Sequence, residues 1–274
     1  MEKTKILFIS QNITPYLPES HIGKITRHLP QGIQEKGREI RTFMPRFGSV
    51  NERRNQLHEV IRLSGMNLII NDADHPLIIK VASIQQARMQ VYFIDNEDYF
   101  QRKAIFRDKK EKFFEDNDER AIFFARGVLE TVKKLGWSPD VIHCHGWMTS
   151  LVPLYVRKTF KDNPLFSNTK IVYSMYDDGF DESFSKDFAA KILFDGIEEK
   201  DLKSLSGCDY QAISKLGMEY SDAFIHGSEV IDKERKSFAE NTKKPILEFK
   251  SEEEYVDAYS DFYDKILVEE DVIS

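Results

Sequence analysis

Asp140-Val-Ile-His143-Cys-His145-Gly-Trp147-Met-Thr149-Ser150-Leu-Val-Pro153 changes character twice in a short span. Val141 to Cys144 is a short apolar run, the pattern of a buried strand. A polar turn with two histidines follows, and a helix opens at Thr149. Strand, turn and helix in that order form the repeating unit of a parallel α/β sheet. In such sheets ligands bind just beyond the carboxyl ends of the strands, so this turn decides the fold class and also nominates a site. His-x-His at a strand end puts both imidazoles on one face and Cys144 on the other. A tetrahedral metal site needs more donors than two histidines, and no further pair of ligands is close in sequence; no metal site is expected. The strand position of Cys144 predicts a buried, inert thiol.

Working outward, Lys5–Ser10 is a second buried strand, followed by a loop with Pro15 and Pro18. Ile22, Ile25, Leu29 and Ile33 recur at helical spacing, and Gly37 closes that helix. Glu39 to Met44 is a strand stopped by Pro45. This β-α-β opening predicts parallel strands with a right-handed crossover. His58–Leu63, Met66–Ile70, Leu77–Ala82 and Met89–Ile94 are short β-rich runs, read as antiparallel strands set in or beside the parallel sheet. A long helix is expected over Asn117–Leu135, ended by Gly136. Helices over Thr149–Phe160, Phe184–Phe194, Leu205–Tyr220 and from about Ser228 alternate with strands Lys170–Met175 and Ala223–His226. The fold class is therefore α/β: a Rossmann-like, doubly wound, mostly parallel sheet with an antiparallel β insertion.

Ser251-Glu-Glu-Glu254 fits a capping box, and Tyr255, Val256, Tyr259, Phe262, Tyr263 and Ile266 form one apolar stripe beyond it. The stripe must bury against something: this same domain, or a partner. We expect one domain over 1–244, with an amphipathic helix within 245–274 packed on it. Over 274 residues, 41% apolar and 31% charged composition is that of a globular chain with a full core. No apolar run approaches the ~18 residues that span a membrane. A net charge of −7, with basic residues interspersed among acidic ones, argues against nucleic-acid or anionic-membrane partners. The first apolar run is too short for a signal peptide, and two cysteines give no disulfide framework; the cytoplasm is the expected location.

The Asp140–Pro153 segment resembles the D-V-V-H-C-H-D-W-H-T-A-L-V-P turn of bacterial glycogen synthases and plant starch synthases. Further motifs follow in order. Leu29-Pro30-Gln-Gly-Ile33, Lys36-Gly37-Arg-Glu-Ile-Arg41 and Met44-Pro45-Arg46-Phe47-Gly48 are similar to L-P-K-A-L, G-H-E-V-R and L-P-K-Y-G. Val91-Tyr-Phe-Ile-Asp95 looks like V-Y-F-I-D, Asp116-Asn117-Asp-Glu-Arg120 like D-N-x-E-R, and Lys215-Leu-Gly-Met-Glu-Tyr220-Ser-Asp222 like K-x-G-I-x-Y-A-D. The resemblance runs from residue 5 to about 240. It implies one half of a GT-B fold, the N-terminal domain that mainly meets the acceptor glucan, with the nucleotide-binding C-terminal domain absent. Members of the family transfer glucose from ADP-glucose to an α-1,4-glucan.

Such transfer must hold two sugars in register and stabilise the charge of a leaving diphosphate. Three turns of the N-terminal domain contribute in the family, and this chain departs from each. The K-T-G-G-L loop corresponds to Pro18-Glu19-Ser20-His21-Ile22, without the lysine or the glycine pair, and Glu19 adds a charge repulsive to phosphate. Gly146 stands where the family has the aspartate of H-C-H-D-W. Tyr176 stands where it has the histidine of T-I-H-N. The remaining sugar-binding candidates are Asp116, Arg120, His143, His145, Trp147, Tyr176 and Asp177. Asp116 reads equally as a helix cap, and Trp147 equally as core. No catalytic residue is assigned and no cofactor is expected. The resemblance implies a glycogen/starch-synthase-like protein of α-1,4-glucan biosynthesis with α-glucan or ADP-glucose as ligand, and the departures at three turns, with the donor domain missing, predict a chain inactive alone. A separate synthase chain would then supply the second domain. The alternative is a non-catalytic glucan-binding or regulatory partner of a full-length synthase.

Overall fold

The structure is a computed structural model and describes residues 3–268. Strand β1 (Lys5–Ser10), helix α1 (His21–Glu35) and strand β2 (Glu39–Pro45) form the opening β-α-β unit. The Ser20 hydroxyl accepts from the Gly23 N–H at 3.0 Å and caps α1. Gly37, at φ +88°, ends it in the left-handed region open to glycine. Strands β3 (His58–Glu59), β4 (Met66–Ile70), β5 (Ala73–Ile84) and β6 (Met89–Asp95) follow. β5 pairs antiparallel with β3, β4 and β6, which makes the expected insertion. β3 is far shorter than the strand expected over His58–Leu63. The Val60 carbonyl accepts from the N–H groups of Leu63 and Ser64, and that turn ends the pairing.

Helices α2 (Glu97–Phe100) and α3 (Asn117–Leu135) lead to β7 (Val141–His145) and α4 (Leu151–Arg157). Then come β8 (Lys170–Met175), α5 (Phe188–Ile192), α6 (Tyr210–Glu219), β9 (Ala223–His226), α7 (Lys233–Thr242), β10 (Ile246–Leu247) and α8 (Tyr255–Val268). Four helices are shorter than the sequence pattern predicts. Trp147–Thr149 is a separate 3-10 turn ahead of α4. α5 stops where Leu193 turns extended, at ψ 118°. α6 and α7 begin late because Asp209 and Asp232 cap the N–H groups of Ala212 and Arg235. An acidic N-cap outweighs apolar periodicity in setting a helix start.

The strand order is β10-β9-β8-β7-β1-β2-β6-β5-β3, with β4 beside β5, and every pair from β10 to β6 is parallel. The order reverses between β1 and β7, where Phe8 faces His143 and Ser10 faces His145. Strand alternation then sorts the core onto two faces. Leu7, Ile9, Ile142, Cys144, Ile171 and Tyr173 belong to the cluster that holds α3, α4 and α6. Ile6, Phe8, Val141, Val172 and Ile225 belong to the cluster that holds α1 and α8. Tyr255, Tyr259, Phe262, Tyr263 and Ile266 of α8 are buried there, against this same sheet. Burial of each such side chain stabilises by roughly 1.5–3 kcal/mol. Among the described residues, no helix is long and apolar enough to cross a membrane.

Candidate functional site

At the reversal, the chain leaves β1 toward α1 and leaves β7 toward α4, and the two exits stay joined by Gln11 N–H to the His145 carbonyl at 3.2 Å. Divergence of two neighbouring loops opens a crevice, the usual ligand position in such sheets. A pocket of about 490 Å³ lies here. Its walls are Gln11, Asn12, Ser20 and His21 from the first exit, Ile105 to Arg107 from the loop before α3, and Tyr176 to Asp178 after β8. The size and the mixed apolar and polar lining suit a small ligand.

Gly146 has φ +87°, and a Cβ there would lie 2.3 Å from Gln11 Cδ. The Gln11 amide fills the place that a side chain at 146 would need. Gln11 Oε1 accepts from the Met148 N–H at 3.1 Å, and its Nε2 donates to Asp178 Oδ2 at 3.3 Å. The Trp147 N–H donates to the same oxygen at 2.9 Å, and the Tyr210 hydroxyl donates to Oδ1 at 2.6 Å. Burial pushes the Asp178 carboxyl above the ordinary carboxylate range, against the opposing pull of Tyr210, the Trp147 N–H and Arg235. Gln11 and Asp178 thus brace the glycine turn from two other strands.

The histidines face the α1 and α8 layer, as their alternation requires, with ring centroids 3.8 Å apart. His143 Nδ1 meets the Tyr263 hydroxyl at 2.6 Å and Nε2 meets the Ser174 hydroxyl at 2.7 Å. His145 Nδ1 meets the Tyr176 hydroxyl at 2.7 Å, while its Nε2 has no hydrogen-bond partner among the described residues. Burial holds the pKa of His143 well below its ordinary value, helped by His145, and lowers that of His145 to about 3. Both rings are therefore neutral at physiological pH, and both are fully buried behind the pocket wall. Cys144 is buried on the opposite face, and burial raises its thiol pKa.

Trp147 is buried among Phe106, Phe180 and Phe184, at ring-centroid distances of 4.8, 5.1 and 5.6 Å. Of its two readings, the structure favours core. Asp116 sits at the N-cap of α3 without a side-chain capping bond. Its carboxylate instead takes a two-pronged pair from Arg102, at 2.9 and 2.6 Å. Arg120 is fully buried and donates to the Ile105 carbonyl at 2.7 Å and Asn117 Oδ1 at 2.6 Å. Burial, with Arg102 nearby, lowers its pKa to about 9. Arg120 shapes the pocket indirectly, by pinning the loop that carries Phe106. Tyr176 and Asp177 are the two candidates that line the pocket itself.

The Pro18–Ile22 loop is spent on contacts within the chain. Asn12 Nδ2 donates to Ser20 Oγ at 2.8 Å, and Glu19 pairs with Lys24 at 2.6 Å. His21 Nε2 lies 2.6 Å from the Gly227 carbonyl, which ties α1 to the turn after β9. Sequence reasoning missed Gln11, Asn12 and Asp178. The first two follow β1 directly at the reversal, a position that the strand-end rule singles out once the strand order is known. Asp178 adjoins the chosen Asp177 and is the half-buried member of that pair.

The site lies at the strand-order reversal of a Rossmann-like sheet, the architecture of one half of a GT-B glycosyltransferase. The family model described as "Starch synthase catalytic domain" matches residues 5–244, and the chain belongs to that family. It is 37% identical to a glycogen synthase of Chlorobium limicola over 173 residues, covering 63% of this chain and 35% of that protein. It is 30% identical to a glycogen synthase of Pelodictyon phaeoclathratiforme over 233 residues, covering 84% of this chain and 47% of that protein. The chain thus spans less than half the length of these curated relatives. Its fold is similar to the catalytic domain of starch synthase IV from Arabidopsis thaliana, solved bound to ADP and acarbose. The TM-score is 0.72 and the identity 17%, covering 90% of this chain and 51% of that one.

Proposed function

We propose that this chain is a glycogen/starch-synthase-like protein of α-1,4-glucan biosynthesis that holds an α-glucan and does not transfer glucose by itself. The observation that carries this reading is the internal use of three turns that, by the family resemblance, contribute to glucosyl transfer. Ser20 caps a helix and Glu19 pairs with Lys24; Gln11 occupies the space beside Gly146; Tyr176 is bonded to His145. Charge points the same way. The pocket sets Arg107 against Glu111, Asp177 and Asp178, and Arg107 is itself paired with Glu182. A diphosphate meets net repulsion there, whereas a neutral polyhydroxyl chain finds carboxylate, amide and hydroxyl partners beside an aromatic wall.

Native gels cast with glycogen separate glucan binding from its absence. The proposal expects retardation of this chain by glycogen and relief of that retardation by free maltoheptaose. Unchanged mobility over a range of glycogen concentrations contradicts it.

A further inference from the structure

A second crevice of about 490 Å³ lies between α1 and the segment that leads into α8. One wall is built by Lys24, Ile25 and His28 of α1. The other is built by Phe249, Glu252 and Tyr255, all outside the family match over 5–244. His21 lines this crevice and the first one alike. Its Nε2 is held 2.6 Å from the Gly227 carbonyl, an acceptor, which makes that nitrogen the protonated one and fixes the ring. From there the His21 ring centroid is 5.9 Å from that of Tyr176, in the first crevice, and 6.4 Å from that of Phe249, in the second. A row of rings therefore runs from one crevice into the other.

The charge of the second crevice selects among ligands. Lys24 is neutralised by Glu19 at 2.6 Å, and Lys250 is offset by Glu252. With its charged lining residues balanced, the crevice offers a polyanion no net attraction. Buried Ile25 and Tyr255 give it an apolar floor, and exposed His28 stands at its rim. An apolar and aromatic surface with a few placed polar groups suits the flat faces and hydroxyls of a neutral sugar.

We propose that the second crevice is a further sugar subsite, and that a linear α-glucan runs from the first crevice over His21 into it. This rests on the α-glucan reading above. It makes affinity depend on chain length, because only longer chains reach Phe249. Calorimetry with maltose through maltoheptaose tests it, on the wild type and on Phe249→Ala and His28→Ala. The second substitution changes an exposed side chain and so guards against loss of fold. The expected result is a gain in affinity once chains span both crevices. Phe249→Ala should remove up to about tenfold of that gain, the worth of one aromatic contact. His28→Ala should remove a smaller part, and both variants should bind the shortest ligands like wild type. Affinity independent of length, or a gain that survives both substitutions, overturns the subsite and leaves the α-glucan reading standing. Absence of binding at every length overturns both.

Discussion

The turn at Gly146 shows how a single residue changes the work of its neighbours. Its φ of +87° suits glycine, and Gln11 lies where a Cβ would go. Restoring the family's aspartate by Gly146→Asp therefore brings both backbone strain and a clash. We expect a loss of about 1–3 kcal/mol in urea unfolding. Part of that loss should return in the double variant with Gln11→Ala, since the two side chains compete for one space. Equal stability of Gly146→Asp and wild type contradicts this account of the turn. The glycine itself was legible as a departure from the motif. The bracing by Gln11 and Asp178 was not, because it joins three strand ends far apart in sequence and depends on their order in the sheet. Asp116 taught the opposite lesson: its place before a helix suggested a cap, yet Arg102 takes both carboxylate oxygens.

At the scale of elements, strands with clear apolar runs were the most legible. Lys5–Ser10, Met66–Ile70 and Lys170–Met175 fall where the sequence predicts them. Helix starts were less so, since Asp209 and Asp232 cap late and shorten the periodic stretch. The apolar stripe of α8 required burial but did not name its cover; the structure supplies α1 and the sheet. Tyr263 of α8 also reaches His143 of β7, so this helix closes over a pair of neutral histidines. A histidine whose folded pKa lies below its unfolded value near 6.5 takes up a proton on unfolding at any pH between the two. Its contribution is present in full above about pH 6.5 and is lost as pH falls toward the folded value. For His145 that value is about 3, and for His143 it is well below the ordinary one. Stability should fall between pH 6 and 5 with a slope approaching about 2.7 kcal/mol per pH unit when both unfolded histidines are charged. Urea midpoints measured across this window check it, and a flat profile down to pH 5 contradicts it.

For the whole molecule, alternation of strands and helices was enough to give a doubly wound sheet, and the ordered motifs were enough to give the family. Neither reveals that most of the candidates quoted from those motifs turn inward. His143, His145, Trp147, Arg120 and Tyr176 are buried; of these Tyr176 also borders the crevice, which the exposed Asp177 shares with Gln11, Asn12 and Asp178. Motif residues that support a pocket and residues that line it look alike in one sequence, because burial is a property of the packed layers. The central claim is that this chain holds a glucan and leaves glucosyl transfer undone. Transfer from labelled ADP-glucose to glycogen by the purified chain tests it most directly. The account predicts no incorporation above the protein-free control from a preparation that unfolds cooperatively. Sustained incorporation that is abolished by Tyr176→Ala would contradict it, and would make the crevice at the strand reversal a working transferase site.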